Sequence, residues 1–223
     1  MRKWLDISFI VCFSGTVFLF LFSPALLFHD RELRLAAAIL SPPILFLCGI
    51  LIPCRIACGN RFFRELGLTR PSKRDLLPML SAIPVFLFFA LCTAVIRMVG
   101  IPVAPQALAG YAANCSGWSF LLIVFSAGIL APAAEELAYR RVMFDFFREK
   151  LPFGEVPAYL ITSFLFAVSH GIIWQSVLLF FFGLLLQWYQ RTGSTTRAIL
   201  THSLLNCCSL FALYLIRSGV IPS

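Results

Sequence analysis

Long apolar runs alternate along this chain with short stretches rich in basic and turn-forming residues. The runs lie near residues 7–28, 34–54, 76–99, 118–139, 157–173, 174–190 and 196–216, and each approaches the roughly 20 residues a helix needs to cross a hydrocarbon core about 30 Å thick. They are continuous. Strands of a closed membrane barrel would instead alternate polar and apolar positions over about 10 residues. The pattern predicts an all-α, polytopic transmembrane helical bundle of about seven spans, or eight on the alternative count, forming one integral membrane domain over residues 1–223. No internal repeat or low-complexity stretch interrupts it.

Composition agrees, with 60% hydrophobic residues, 13% charged residues and a mean hydropathy of +0.91, whereas a soluble domain is about a quarter charged. The net charge of +8 would suit nucleic acid if the basic residues were clustered on one soluble face, but they follow the loops. With the N-terminus in the cytoplasm, Arg31, Arg34, Arg97 and Arg217 fall outside, and the remaining 14 of the 18 Lys and Arg residues fall inside. This is the positive-inside distribution. The expected partner is therefore the lipid bilayer and not nucleic acid.

Arg2 and Lys3 precede a run that is long for a signal peptide and lacks a clean small-x-small cleavage site, so an uncleaved first span is expected. The segment 54–75 mixes Arg and Lys with Phe62, Phe63 and Leu66 and reads as a cytoplasmic loop with an interfacial helix on anionic lipid. The eight cysteines lie mostly in apolar runs without a CxxC pair and read as small buried hydrophobes. Asn114-Cys115-Ser116 is formally a glycosylation sequon, a pattern too short to carry an argument.

Candidate chemistry lies in the residues that a lipid-facing helix should not contain, since a charge near the bilayer centre costs about 2.5–3.5 kcal/mol on insertion scales. Glu135, Glu136 and Arg140, with His170 and His202, are such residues. Glu136 and Arg140 are spaced i, i+4 and read as an ion pair. Glu135 projects about 100° away around the helix and need not share that partner. Pro132 is expected to kink the span or to open a new helical segment, placing both carboxylates near a positive N-terminal end. Glu135 and His170 lie about equally far from the turn at Pro152, Phe153 and Gly154, so the two fall at one level if both helices reach that turn. Alone, His170 would read as a helix-end histidine. His202 and Asn206 share a face of the last span, roughly 10–15 Å from its cytoplasmic end at 1.5 Å per residue; a lone Asn there would be polar glue between helices.

A Glu with a His can hold and deprotonate a water molecule, and a second His and an Asn can donate to the oxyanion of a tetrahedral intermediate. A zinc site of His170, His202 and a Glu is the rival chemistry. HExxH is absent and the ligands would come from separate helices, so no metal or other cofactor is expected, although a divalent ion stays open.

These residues resemble the three motifs of the CAAX-protease and bacteriocin-processing family, also called CPBP or Abi, of glutamate-type intramembrane peptidases. Glu135, Glu136 and Arg140 match EExxxR, Phe166 and His170 match FxxxH, and His202 and Asn206 match HxxxN. The ordered set covers residues 118–216 with one span between the second and third motifs. The resemblance implies a catalytic core there, in which Glu135 and His170 activate water, His202 and Asn206 form the oxyanion hole, and Glu136 and Arg140 support the geometry. It also implies a membrane-tethered peptide or protein as substrate. The chain's length resembles prokaryotic members, which implies a prokaryotic cytoplasmic membrane. Seven spans is fewer than the eight typical of the eukaryotic CAAX enzymes, which weakens transfer of prenyl-protein specificity. The competing reading is a non-proteolytic membrane scaffold or self-immunity protein that retains the motif residues; a transporter would be expected to show inverted repeats.

Overall fold

A computed structural model of the chain describes residues 2–21, 31–100, 117–152, 154–170 and 173–220. All regular structure among them is helical, in seven segments. They are α1 (Lys3–Leu21), α2 (Arg31–Cys58), α3 (Lys73–Met98), α4 (Trp118–Lys150), α5 (Glu155–Val168), α6 (Ile173–Thr192) and α7 (Thr195–Arg217). A 3-10 turn, Gly59–Arg61, and a short helix, Phe62–Glu65, extend α2. The end of the first expected span, the sequon at 114–116 and Phe153 lie outside the described residues. Among the described residues four helices, Ala36–Glu65, α3, α4 and α7, are long and apolar enough to cross a membrane, and the protein is an integral membrane protein.

Polar side chains stitch one end of the bundle together. Ser72 opens α3 by donating from both its backbone N–H and its hydroxyl to Asp75 Oδ2, each at 2.8 Å, while Asp75 Oδ1 accepts from Arg197 Nε at 2.9 Å. The start of α7 is thereby tied to the start of α3. Thr195 adds two bonds to the preceding loop, its N–H to the Gly67 carbonyl at 2.9 Å and its hydroxyl to the Leu66 carbonyl at 2.7 Å. Gly67 is required at that contact, because its φ is +66° and a Cβ there would stand 2.7 Å from Thr195 Oγ1.

The start of α1 reaches the same end of the molecule. Trp4 and Leu5 are buried, Arg2 pairs with Asp145 at 3.1 Å and with Glu149, and Lys150 meets Asp6 at 3.3 Å. The start of α1 and the last turns of α4 therefore share one basic rim.

Two segments differ from the expectation. α4 does not end near residue 139 but runs on to Lys150, because Asp145 and its basic neighbours are satisfied by ion pairs at the rim. α5 spans only 14 residues, short of a full crossing at 1.5 Å per residue. It packs against α6 through Gly183, where a Cβ would lie 3.2–3.3 Å from Ser163 Cα, Cβ and Oγ. That close approach brings two helix faces together, a common use of small residues between membrane helices.

Candidate active site

α4 departs from α-helical geometry on both sides of Glu135. The stretches Ser126–Leu130 and Glu136–Met143 are π-helical, separated by the α-helical turn Ala131–Glu135. Pro132 accounts for a consequence of the first stretch. The Ala131 N–H bonds five residues back, to the Ser126 carbonyl. The corresponding donor for Ala127 would be residue 132, and proline has no N–H. The Ala127 carbonyl is met instead by Asn206 Nδ2 of α7 at 2.8 Å. The expectation that Pro132 opens a new helical segment is not met, since the helix continues through it and no free N-terminal end faces the two carboxylates.

The second stretch carries the charged residues. Glu136 and Arg140 are fully buried, and Arg140 Nε donates to Glu136 Oε2 at 3.1 Å. The other oxygen of Glu136, Oε1, accepts from His202 Nδ1 at 2.9 Å. One carboxylate thus holds α4's guanidinium and α7's imidazole together. With Nδ1 committed, His202 presents Nε2 toward Glu135, whose Oε2 lies 3.9 Å away. Glu135 itself is about a quarter exposed, and its Oε2 is buried with no hydrogen-bond partner.

Phe166 is the packing centre of the arrangement. Its fully buried ring stands edge-on to His170 at 4.9 Å and to His202 at 5.7 Å, and Arg140 Cζ lies 4.5 Å from its centroid. Phe182 of α6 meets the His202 ring at 5.7 Å. His202 is consequently fixed by two aromatic edges and one carboxylate. His170 stands just beyond the end of α5 with Nδ1 2.8 Å from the Phe166 carbonyl. Facing a carbonyl, Nδ1 must donate, which leaves Nε2 as the ring's accepting nitrogen when the ring is neutral.

The ring contacts of Phe144 with Tyr159 and of Tyr139 with Phe166 form a ladder between α4 and α5. Continued upward, the ladder brings His170 to the level of Glu135, as the hairpin spacing predicts. The structure brings together Glu136, Arg140 and His202 by direct bonds and sets Glu135 beside His202. His170 joins them through Phe166, and Asn206 lies one turn further along α7, bonded to the bulged backbone of α4. Among the described residues no three His, Cys, Asp or Glu side chains gather as metal ligands.

Sequence reasoning missed Phe182, Gln187 and the two π-helical stretches. Gln187 of α6 is fully buried and donates to the Arg140 backbone carbonyl at 3.4 Å and to Gln190 Oε1 at 3.1 Å. A signal existed: Gly183, Gln187 and Gln190 recur at four- and three-residue spacing, one small or polar face on an otherwise apolar helix.

No curated protein and no solved structure matches the chain. A family model does. Residues 117–208, which carry all three motifs, match the Rce1-like family of type II CAAX prenyl endopeptidases, the CAAX-protease family that those motifs resemble.

Proposed function

We propose that this protein is an intramembrane endopeptidase that hydrolyses a peptide bond in a membrane-tethered protein or peptide, using Glu135 as the base that activates water. The observation that carries the reading is the unpartnered Oε2 of Glu135. Leaving a buried acceptor unsatisfied costs about 1–3 kcal/mol, and more for a charged group, which leaves this oxygen free to accept from a water. Glu136, by contrast, has both oxygens bonded.

In the proposed reaction Glu135 takes a proton from a water held against His170 Nε2, and the water oxygen attacks the scissile carbonyl carbon. The developing oxyanion lies toward the second N–H of Asn206 Nδ2, the first being bonded to the Ala127 carbonyl, and toward His202 Nε2, which donates when the ring carries a proton on each nitrogen, that on Nδ1 being held by Glu136. Return of the proton from Glu135 to the amide nitrogen breaks the C–N bond and releases a carboxylic acid and an amine. Glu136 and Arg140 act through His202 by holding its ring. The scheme uses no metal. His202 stands seven residues into α7, about 10 Å from the Thr195 rim at 1.5 Å per residue, which suits a cleavage site near the basic, cytoplasmic face of a prokaryotic membrane. The family's description names prenyl endopeptidases; a prenylated substrate is one member of the proposed class.

Comparison of protein termini in membranes of cells expressing wild type or Glu135→Gln at matched abundance tests the proposal. New termini with wild type alone establish proteolysis and name the substrate. Identical termini, with the physiological substrate present, leave the self-immunity or scaffold role in its place.

A further inference from the structure

The polar face of α6 is not used by any of the three motifs, yet it is buried. Gln187 is fully buried and Gln190 is 8% exposed. Gln187 spends its amide N–H groups on the Arg140 carbonyl and Gln190 Oε1, and its own Oε1 has no partner. Arg140 Nη1, Arg140 Nη2 and Ser163 Oγ are also buried without partners.

These atoms are neighbours. Ser163 packs on Gly183, one turn above Gln187 on the same face of α6. Phe166, one turn beyond Ser163 on α5, lies under the Arg140 guanidinium. With Glu135 Oε2 at one end and Gln190 near the Arg191–Glu155 pair at the other, they mark a polar path along α4, α5 and α6 from the level of the active site to the basic rim.

The chemistry of the path selects its occupant. Arg140 offers only donors, Gln187 Oε1 and Glu135 Oε2 only accept, and Ser163 does both. An anion would serve Arg140 and Ser163 but would set charge against the two acceptors. Water satisfies donors and acceptors alike, and buried polar groups without protein partners are where internal water binds.

We infer that Arg140, Ser163, Gln187 and Gln190 line a file of internal water joining the Glu135 level to the basic end of the bundle. On the peptidase reading, on which this part rests, the file supplies the water that hydrolysis consumes without passing through the substrate's position.

Radiolytic hydroxyl-radical footprinting of the intact wild-type protein, read by mass spectrometry, tests the file without using activity. Radicals form in place from bound water, so the Phe166 ring, although fully buried, is expected to be oxidised along with the exposed Phe63, while Ile123, fully buried in an apolar cluster, stays unmodified. Gln187→Leu and Ser163→Ala should each reduce oxidation of Phe166 and leave Phe63 unchanged. Phe166 as unmodified as Ile123 in folded wild type overturns the inference, whatever the variants do. Oxidation of Phe166 in a protein whose Glu135→Gln variant leaves all termini unchanged keeps the file and removes the peptidase; an unmodified Phe166 in an active protease does the reverse.

Discussion

His202 Nδ1 stands 2.9 Å from Glu136 Oε1, and the opposite oxygen of the same carboxylate holds Arg140 Nε at 3.1 Å. The adjacent carboxylate, one residue earlier, has a buried oxygen with no hydrogen bond, 3.9 Å from His202 Nε2. Neighbouring residues of one type therefore have opposite energetic roles, and substitutions should separate them.

Glu136→Gln removes the charge that offsets a fully buried guanidinium, and breaking a buried pair from one side costs about 3–5 kcal/mol. Glu135→Gln removes no bond and should shift stability by less than about 1 kcal/mol in either direction, within the range of substitutions that break no contact. Both should abolish cleavage. Thermal unfolding in micelles checks the contrast: equal melting temperatures for the two variants would contradict the assignment of Glu136 as the structural member.

The bond from Asn206 to Ala127 exists because Pro132 withholds a backbone donor. Asn206→Ala should leave that carbonyl unmet and destabilise the protein by about 1–3 kcal/mol. Pro132→Ala restores an N–H at the position the π-helical register calls for. In that background Asn206→Ala should cost clearly less, a coupling of about 0.5–3 kcal/mol in a double-mutant cycle. Strict additivity would mean that Asn206 does not act through the bulged backbone.

Much of this arrangement was legible before any coordinates. Apolar run length located all seven helices, the i, i+4 spacing paired Glu136 with Arg140, and equal distance from the turn put His170 level with Glu135. Height along a helix follows from counting residues, but rotation about its axis does not. Which histidine meets which carboxylate depends on that rotation, and α4 changes its rotation at two π-helical stretches that no apolar run length or i, i+4 spacing encodes. The contribution of Gln187 was hidden for another reason: its partner is the backbone carbonyl of Arg140, which no side-chain motif encodes.

At the rim, Asp75 is 6% exposed and accepts from Arg197, from the Ser72 N–H and from the Ser72 hydroxyl. Hydrogen bonds to a charged group contribute about 1.5–3 kcal/mol, so Asp75→Ala should lower stability by at least that much and loosen α3 from the start of α7. Ser72→Ala should cost less, because the backbone N–H of residue 72 still donates. Hydrogen exchange of the first turns of α3 and α7 reads the effect directly: protection lost in both helices together supports the tie, whereas loss in α3 alone would show that Arg197 holds its place without Asp75.

The membrane orientation is testable through the same rim. Arg2 pairs with Asp145 and Glu149, and the loop before α3 bonds the start of α7, so the ends of four helices are fixed to one side by contacts and not by charge counting alone. α5 and α6 enter as a hairpin from that side and return to it, which leaves the direction of α7 the same whether or not the hairpin reaches the far surface. In a cysteine-free background, cysteines placed at Arg70 and Glu149 should react with a membrane-impermeant maleimide only after the cells are opened. A cysteine at Gly219, beyond the end of α7, should react in intact cells. The reverse pattern would invert the protein and move the proposed cleavage site to the outer face. Labelling of all three from one side would break the link between α7 and a complete crossing, and with it the depth of about 10 Å, at 1.5 Å per residue, assigned to His202.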